Sequence, residues 1–176
     1  MKVRRAEERS MSQLKLIRKD AVPAALQKAE RYRLINDPWS AESICLDVLE
    51  VDPENQQALI ALLLSYTDEM IEQPGEGLRR AREVLPRLSD DYKRAYYAGI
   101  IAERRAKAHL RRDDAGGGAI AYNWLREAMD WYERAEAIRP AQNDDSILRW
   151  NACVRLLARR PQVKPALAGS YEPSLE

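Results

Sequence analysis

The sequence predicts an all-α fold built from consecutive helical hairpins. Three observations carry this. Ala, Leu, Arg and Glu dominate the 176 residues and Phe is absent, a composition rich in strong helix formers. Apolar residues recur at three- and four-residue spacing, and there are no β-branched runs bounded by turn residues of the kind that mark strands. Helical stretches also stop on proline and restart within a few residues, as in "LEVDPENQQALIALLLSY" (Leu49 to Tyr66).

Taken in order, a first unit of 34 residues runs from Val22 to Asn55. "AALQKAERYRL" puts Ala25, Ala29 and Tyr32 on one helix face, and "NDPWSA" turns the chain. Ala41, Cys45 and Val48 then share one face of a second helix that stops at "VDP". Pro53 lacks the N–H that a helix interior needs, so it helps to end that helix. "ENQQALIALLLSY" opens a second unit through Leu59, Leu62, Leu63 and Tyr66. "EQPGEG" (Glu72 to Gly77) turns it, and Leu78, Ala81, Leu85 and Leu88 form the next helix face. "SDDYKRAYYAGIIAERRAKAHLRR" reads as a long helix capped by Ser89 or Asp90 and broken by "DDAGGG". A further long helix, from about Ala119 to Ile138, carries Ala128, Tyr132 and Ala135 before Pro140. Pro53 and Pro140 lie 87 residues apart, 19 more than two such units require, so the third hairpin is expected to have lengthened arms and a flexible tip.

"NDDSILRWNACVRLLARR" reads as a capping helix that covers the last apolar face. Residues 1–21 form a basic N-terminal segment, a candidate helix that Leu14 and Ile17 would dock. Residues 22–160 form the repeat domain, and residues 161–176, with three prolines and no helical period, are expected to be extended or disordered.

The period and the residue types resemble the tetratricopeptide repeat family, which alternates small and aromatic residues along two helices and ends each unit on proline. The matching residues are Ala29, Tyr32, Ala41, Cys45, Val48 and Pro53 in the first unit, and Ala128, Tyr132, Ala135 and Pro140 in the third. Departures are Cys45 and Val48, Ala25 where the family has Trp, and Leu63 where it has Gly. The resemblance covers roughly residues 22–155 and implies a right-handed α-solenoid of about three hairpins plus the capping helix.

Composition narrows the function classes. Lys and Arg total 29 against 28 Asp and Glu, a balance that argues against a global polyanion binder. Cys45 and Cys153 sit in apolar helical patterns without CxxC spacing and read as buried reduced thiols. The N-terminal twenty residues lack the apolar core of a secretory signal, and "ALIALLLSY" is too short to span a membrane, so a cytoplasmic location is expected.

Catalytic constellations are weak. The sole histidine, His109, lies in "AERRAKAHLRR" without a nearby His or Cys. "GGGAIAYN" places glycines at a helix start but lacks GK[ST], GxGxxG and a preceding strand, and reads as a hairpin tip. Asp90–Asp91, Asp113–Asp114 and Asp144–Asp145 read as helix-end residues, and Trp124 and Trp131 as a core stripe. No cofactor, metal site or enzymatic activity is expected, and no membrane partner.

The family resemblance implies that the first helix of each hairpin lines a concave groove. Carried residue by residue, the lining is Leu26, Glu30 and Arg33, then Gln57, Ile60, Leu64 and Thr67, then Lys93, Tyr96, Ile100 and Glu103. The Lys and Asn with which some relatives clamp a C-terminal carboxylate are absent from the matching places. The expected function is a non-catalytic scaffold or adaptor that binds an amphipathic helix or apolar peptide of another protein. The chain's own termini or a second copy are competing occupants. The alternative is an RNA or polyanion binder using Arg104, Arg105, Lys107, Arg111 and Arg112, which the near-zero net charge disfavours.

Overall fold

The computed structural model describes residues 13–112 and 116–166. Among them are seven α-helices: α1 (Val22–Leu34), α2 (Pro38–Val51), α3 (Gln56–Glu69), α4 (Pro74–Val84), α5 (Asp91–Arg112), α6 (Gly117–Ala137) and α7 (Asp145–Arg159). Each packs on its successor in sequence, giving hairpins α1–α2, α3–α4 and α5–α6 followed by α7. The first helices of the hairpins also touch, α1 on α3 and α3 on α5, so they form one layer.

Local chemistry sets the boundaries. Pro38 and Pro74 occupy first turns, where a missing N–H costs nothing. Asp37 caps α2, accepting from the Ser40 backbone N–H at 3.1 Å and its hydroxyl at 2.7 Å. Asn55 caps α3 by accepting from Ala58 N–H at 2.9 Å, and Asp90 caps α5 by accepting from Lys93 N–H at 2.7 Å. Each such cap is worth roughly 1 kcal/mol.

Two main cores result. Ala29, Ala41, Cys45, Val48, Leu59, Leu63 and Tyr66 fill the first, beneath α1 to α4. Ala106, Leu125, Ala128, Tyr132 and Cys153 fill the second, between α5, α6 and α7. Small residues permit the close spacing, and each buried Leu contributes about 1.5–3 kcal/mol of transfer free energy. Gly99 lies against the Tyr132 ring, where a Cβ would come within 2.6 Å of Cδ1. Burial pushes both cysteine thiols up to about 12 and leaves them as unbridged apolar side chains.

Three features bear on the sequence expectations. Residues 13–18 form no helix, and only Lys19–Ala21 makes a 3-10 turn. Ile17 packs on the first core but Leu14 is exposed, so the segment has too little apolar surface to hold a helix. Tyr32, placed on the apolar face of the first helix, is 37% exposed. Residues 161–166, expected to be extended or disordered, form no helix and make a packed strap: Val163 is buried in the second core. The Gln162 carbonyl sits 2.5 Å from where a Cβ on Gly118 would lie, so the strap closes directly over the start of α6. The remainder of the N-terminal segment, Asp113–Asp114 and residues 167–176 lie outside the described residues. Among the described residues, no helix is long and apolar enough to cross a membrane.

Candidate functional site

Six expected lining residues come together. Leu26, Glu30 and Arg33 of α1 and Gln57, Ile60 and Leu64 of α3 border one cleft of about 420 Å³, with Pro23, Gln27 and Ala61. The α1 and α3 sets recur at three- and four-residue spacing, which puts each on one helix face. Leu26, Ile60, Ala61 and Leu64 are half-buried and form an apolar floor. Gln27, Glu30 and Gln57 are exposed and supply a polar rim. Arg33 is held in place: its guanidinium donates to Asp68 at 3.0 and 2.9 Å. Asp68 also pairs with Arg104 of α5 at 3.0 Å, so one carboxylate ties α1, α3 and α5 together.

The other five expected lining residues do not border this cleft. Thr67, Ile100 and Glu103 are only 2%, 3% and 2% exposed. The Thr67 hydroxyl donates to the Leu64 carbonyl at 2.7 Å, and Ile100 belongs to the second core. Glu103 accepts from the Tyr132 hydroxyl at 2.7 Å and pairs with Lys107 and, at 3.5 Å, with Arg149. Burial and the Glu103 carboxylate push the Tyr132 hydroxyl well above its ordinary pKa, so it stays a donor. The physical reason for this burial is α7. It brings Arg149, Trp150, Leu156 and Leu157 onto the third hairpin and turns a continued lining into core. Lys93 and Tyr96 are half-buried; the Tyr96 ring stacks on Tyr92 at 5.9 Å and meets Tyr97 edge-on at 5.2 Å.

The basic stretch is not an open stripe. Arg104 is paired with Asp68 and Lys107 with Glu103, while Arg105 is half-buried. Arg111 is exposed, and the Arg112 side chain lies outside the described residues. Arg104, Lys107 and Arg111 instead share a second cleft, of about 240 Å³, with Thr67, Leu156 and Arg160. Leu156 and Arg160 come from α7 and its end, more than 40 residues from α5, and no local pattern in the sequence signals that they share a cleft with it. A third, larger cleft of about 680 Å³ is bordered by Trp39, Glu42, Glu69, Glu72 and Arg80. There Arg80 pairs with Glu42 and, at 3.5 Å, with Glu69, and lies 4.0 Å above the Tyr66 ring. Burial, then the neighbouring Glu42, pushes the Glu69 carboxyl up to about 6.

His109 is half-buried on α5, and no group of His, Cys, Asp and Glu among the described residues could hold a metal ion. Trp124 and Trp131 are half-buried beside Arg82 and Arg134, at 5.4 and 4.6 Å. No family model matches the chain, and neither the curated proteins nor the solved structures contain a match.

Proposed function

We propose that the protein is a non-catalytic interaction scaffold of tetratricopeptide type, whose α1–α3 cleft receives a short amphipathic helix from another protein. The observation that carries this reading is the convergence of six spaced side chains, from two hairpins, on one cleft with an apolar floor and a polar rim. An amphipathic helix presents the complementary arrangement, with apolar anchors every three or four residues and polar flanks. The cleft is built on two packed helices, so little ordering entropy opposes binding. The described chain ends lie elsewhere. Leu14 and Leu16 sit beside Leu46 and Leu49 of α2, and Val163 sits in the second core.

The test is a selection of helical peptides on the wild-type protein, followed by affinity measurement on variants. Leu26→Asp with Ile60→Asp should weaken the selected peptide at least tenfold, since each apolar anchor is worth about 1.5–3 kcal/mol. Leu46→Asp, on the exposed side of α2, should leave it unchanged. A peptide that binds the folded double variant as tightly as wild type overturns the assignment.

A further inference from the structure

We infer that the cleft between α5 and α7 binds a phosphomonoester dianion carried on a short apolar stem. The cleft joins Arg104, Lys107 and Arg111, one face of α5, to Arg160 at the end of α7. Such a gathering of like charge needs anions, and the protein supplies few. Asp68 is shared by Arg104 and Arg33. Glu103 is shared by Lys107 and Arg149. Arg111 and Arg160 make no ion pair among the described residues; the next residues after α5, Asp113 and Asp114, lie outside them. Among the described residues, four cationic side chains therefore line a cleft that no carboxylate borders.

Arginines at the ends of α5 and α7 would complement the helix dipoles wherever they pointed. That role does not explain why both border one cavity. Arg111 also borders the acidic cleft, where Glu42 and Glu69 are engaged by Arg80 and Asp68 by Arg33 and Arg104; Glu72 lies there exposed, and no ion pair joins it to Arg111 among the described residues. The surplus on the α7 side is the pair Arg111 and Arg160. A carboxylate would neutralise one of them. A phosphomonoester, with a charge of about −1.5 to −2 near neutral pH, matches both and suits the planar fork of guanidinium.

Size and polarity restrict the ligand further. At about 240 Å³ the cavity is smaller than most sites for drug-sized molecules, roughly 300–1,000 Å³. The rest of its lining is Thr67, Ala108 and the apolar Ile71, Leu110 and Leu156, and inorganic phosphate would leave the apolar part uncovered. A phosphoryl group with a compact apolar stem fills both halves. A phosphorylated side chain of a peptide and a small phosphorylated molecule share this chemistry.

The probe is phenyl phosphate, titrated calorimetrically into the full-length protein at low salt, with benzenesulfonate as a monoanion of similar shape. Phenyl phosphate should bind saturably and at least tenfold tighter than benzenesulfonate. Lowering the pH to about 5, below the second phosphate pKa near 6, should erase that advantage. Arg111→Gln and Arg160→Gln, both at exposed positions, should each weaken binding at least tenfold with an unchanged thermal transition. Arg155→Gln, exposed on α7 outside the cleft, should not. A phosphotyrosyl peptide binding more than tenfold tighter than phenyl phosphate assigns the source to a protein, and equal binding assigns it to a small molecule. The Leu26→Asp/Ile60→Asp protein should bind phenyl phosphate normally, which separates this inference from the peptide cleft. No saturable binding, equal affinity for the two anions, or full affinity in the Arg111→Gln/Arg160→Gln protein overturns it.

Discussion

Gly99→Ala sets two effects of known sign against each other. In a helix interior, replacing Gly by Ala ordinarily stabilises by about 0.8–1.0 kcal/mol. At position 99 the new methyl would lie 2.6 Å from Tyr132 Cδ1 and 2.9 Å from Cζ, and closer still to Cε1. Relaxed carbon contacts need about 3.5–4.0 Å, so roughly 1 Å of separation is missing. The ring cannot easily yield. Tyr132 is fully buried, its hydroxyl is bonded to Glu103 at 2.7 Å, and the Tyr96 ring lies 6.0 Å away. Either α5 and α6 separate or the ring abandons Glu103. Overpacking of this kind costs about 1–3 kcal/mol, and the rigidity of both partners places it near the upper end. The net loss should be about 2 kcal/mol, or a melting temperature lower by about 4–8 °C for a chain of this size. Urea unfolding followed by circular dichroism measures it. Gly75→Ala is the control: nothing lies within 4 Å of its Cβ, so it should be neutral or slightly stabilising. Tyr132→Leu should cost clearly less in the Gly99→Ala background than in wild type, with a coupling of about 1 kcal/mol or more. A Gly99→Ala protein as stable as wild type, or strictly additive costs, would refute the close-approach argument.

Further predictions concern charge and the strap. The Glu69 carboxyl is raised from 4.5 to about 6, so its contribution to stability is full below 4.5 and is lost as pH rises through 6. Glu69→Gln should therefore gain stability relative to wild type between pH 4.5 and about 7.5, by an amount of the order of 1–2 kcal/mol. Denaturant titrations at both pH values test this, and a pH-independent difference would sink it. Val163→Asp places a charge in the second core and should destabilise by about 2–4 kcal/mol in the same assay. Gly118→Ala puts a methyl 2.5 Å from the Gln162 carbonyl and should speed hydrogen exchange in residues 160–166 while leaving α1 to α4 protected. Unchanged exchange would mean that the strap is not seated by that contact.

Local signals in the sequence matched local structure where one short stretch carried the physics. "NDPWSA" contains both the Asp37 cap and Pro38, and the α1–α2 turn lies there. The excess spacing between Pro53 and Pro140 corresponds to α5 and α6, which are 22 and 21 residues long. Small residues such as Ala29, Ala41 and Ala128 are fully buried because helix packing rewards them at those spacings. The strap was illegible for the converse reason. "PQVKP" has proline spacing that forbids helix, yet a single Val163 side chain finds a place between elements formed far upstream.

The candidate sites follow the same division. Leu26, Ile60 and Leu64 share a cleft because helix periodicity and neighbouring hairpins suffice to bring them together. Glu103 sits among arginines in "AERRAKAHLRR" and has the sequence appearance of a solvated residue. Its burial depends on Tyr132, 29 residues away, and on Arg149 of a helix whose docking no local pattern specifies. The same docking has a second consequence. By covering the lining of the third hairpin, α7 places Arg160 opposite Arg111 and creates a cationic cavity that no repeat contains by itself. A capping helix usually terminates an array by shielding its last apolar face. Here α7 leaves the first-helix layer with an apolar cleft where α1 meets α3 and a charged one where α5 meets α7. Two chemically different ligands can therefore be sought on one layer of helices, and a variant in either cleft leaves the walls of the other in place.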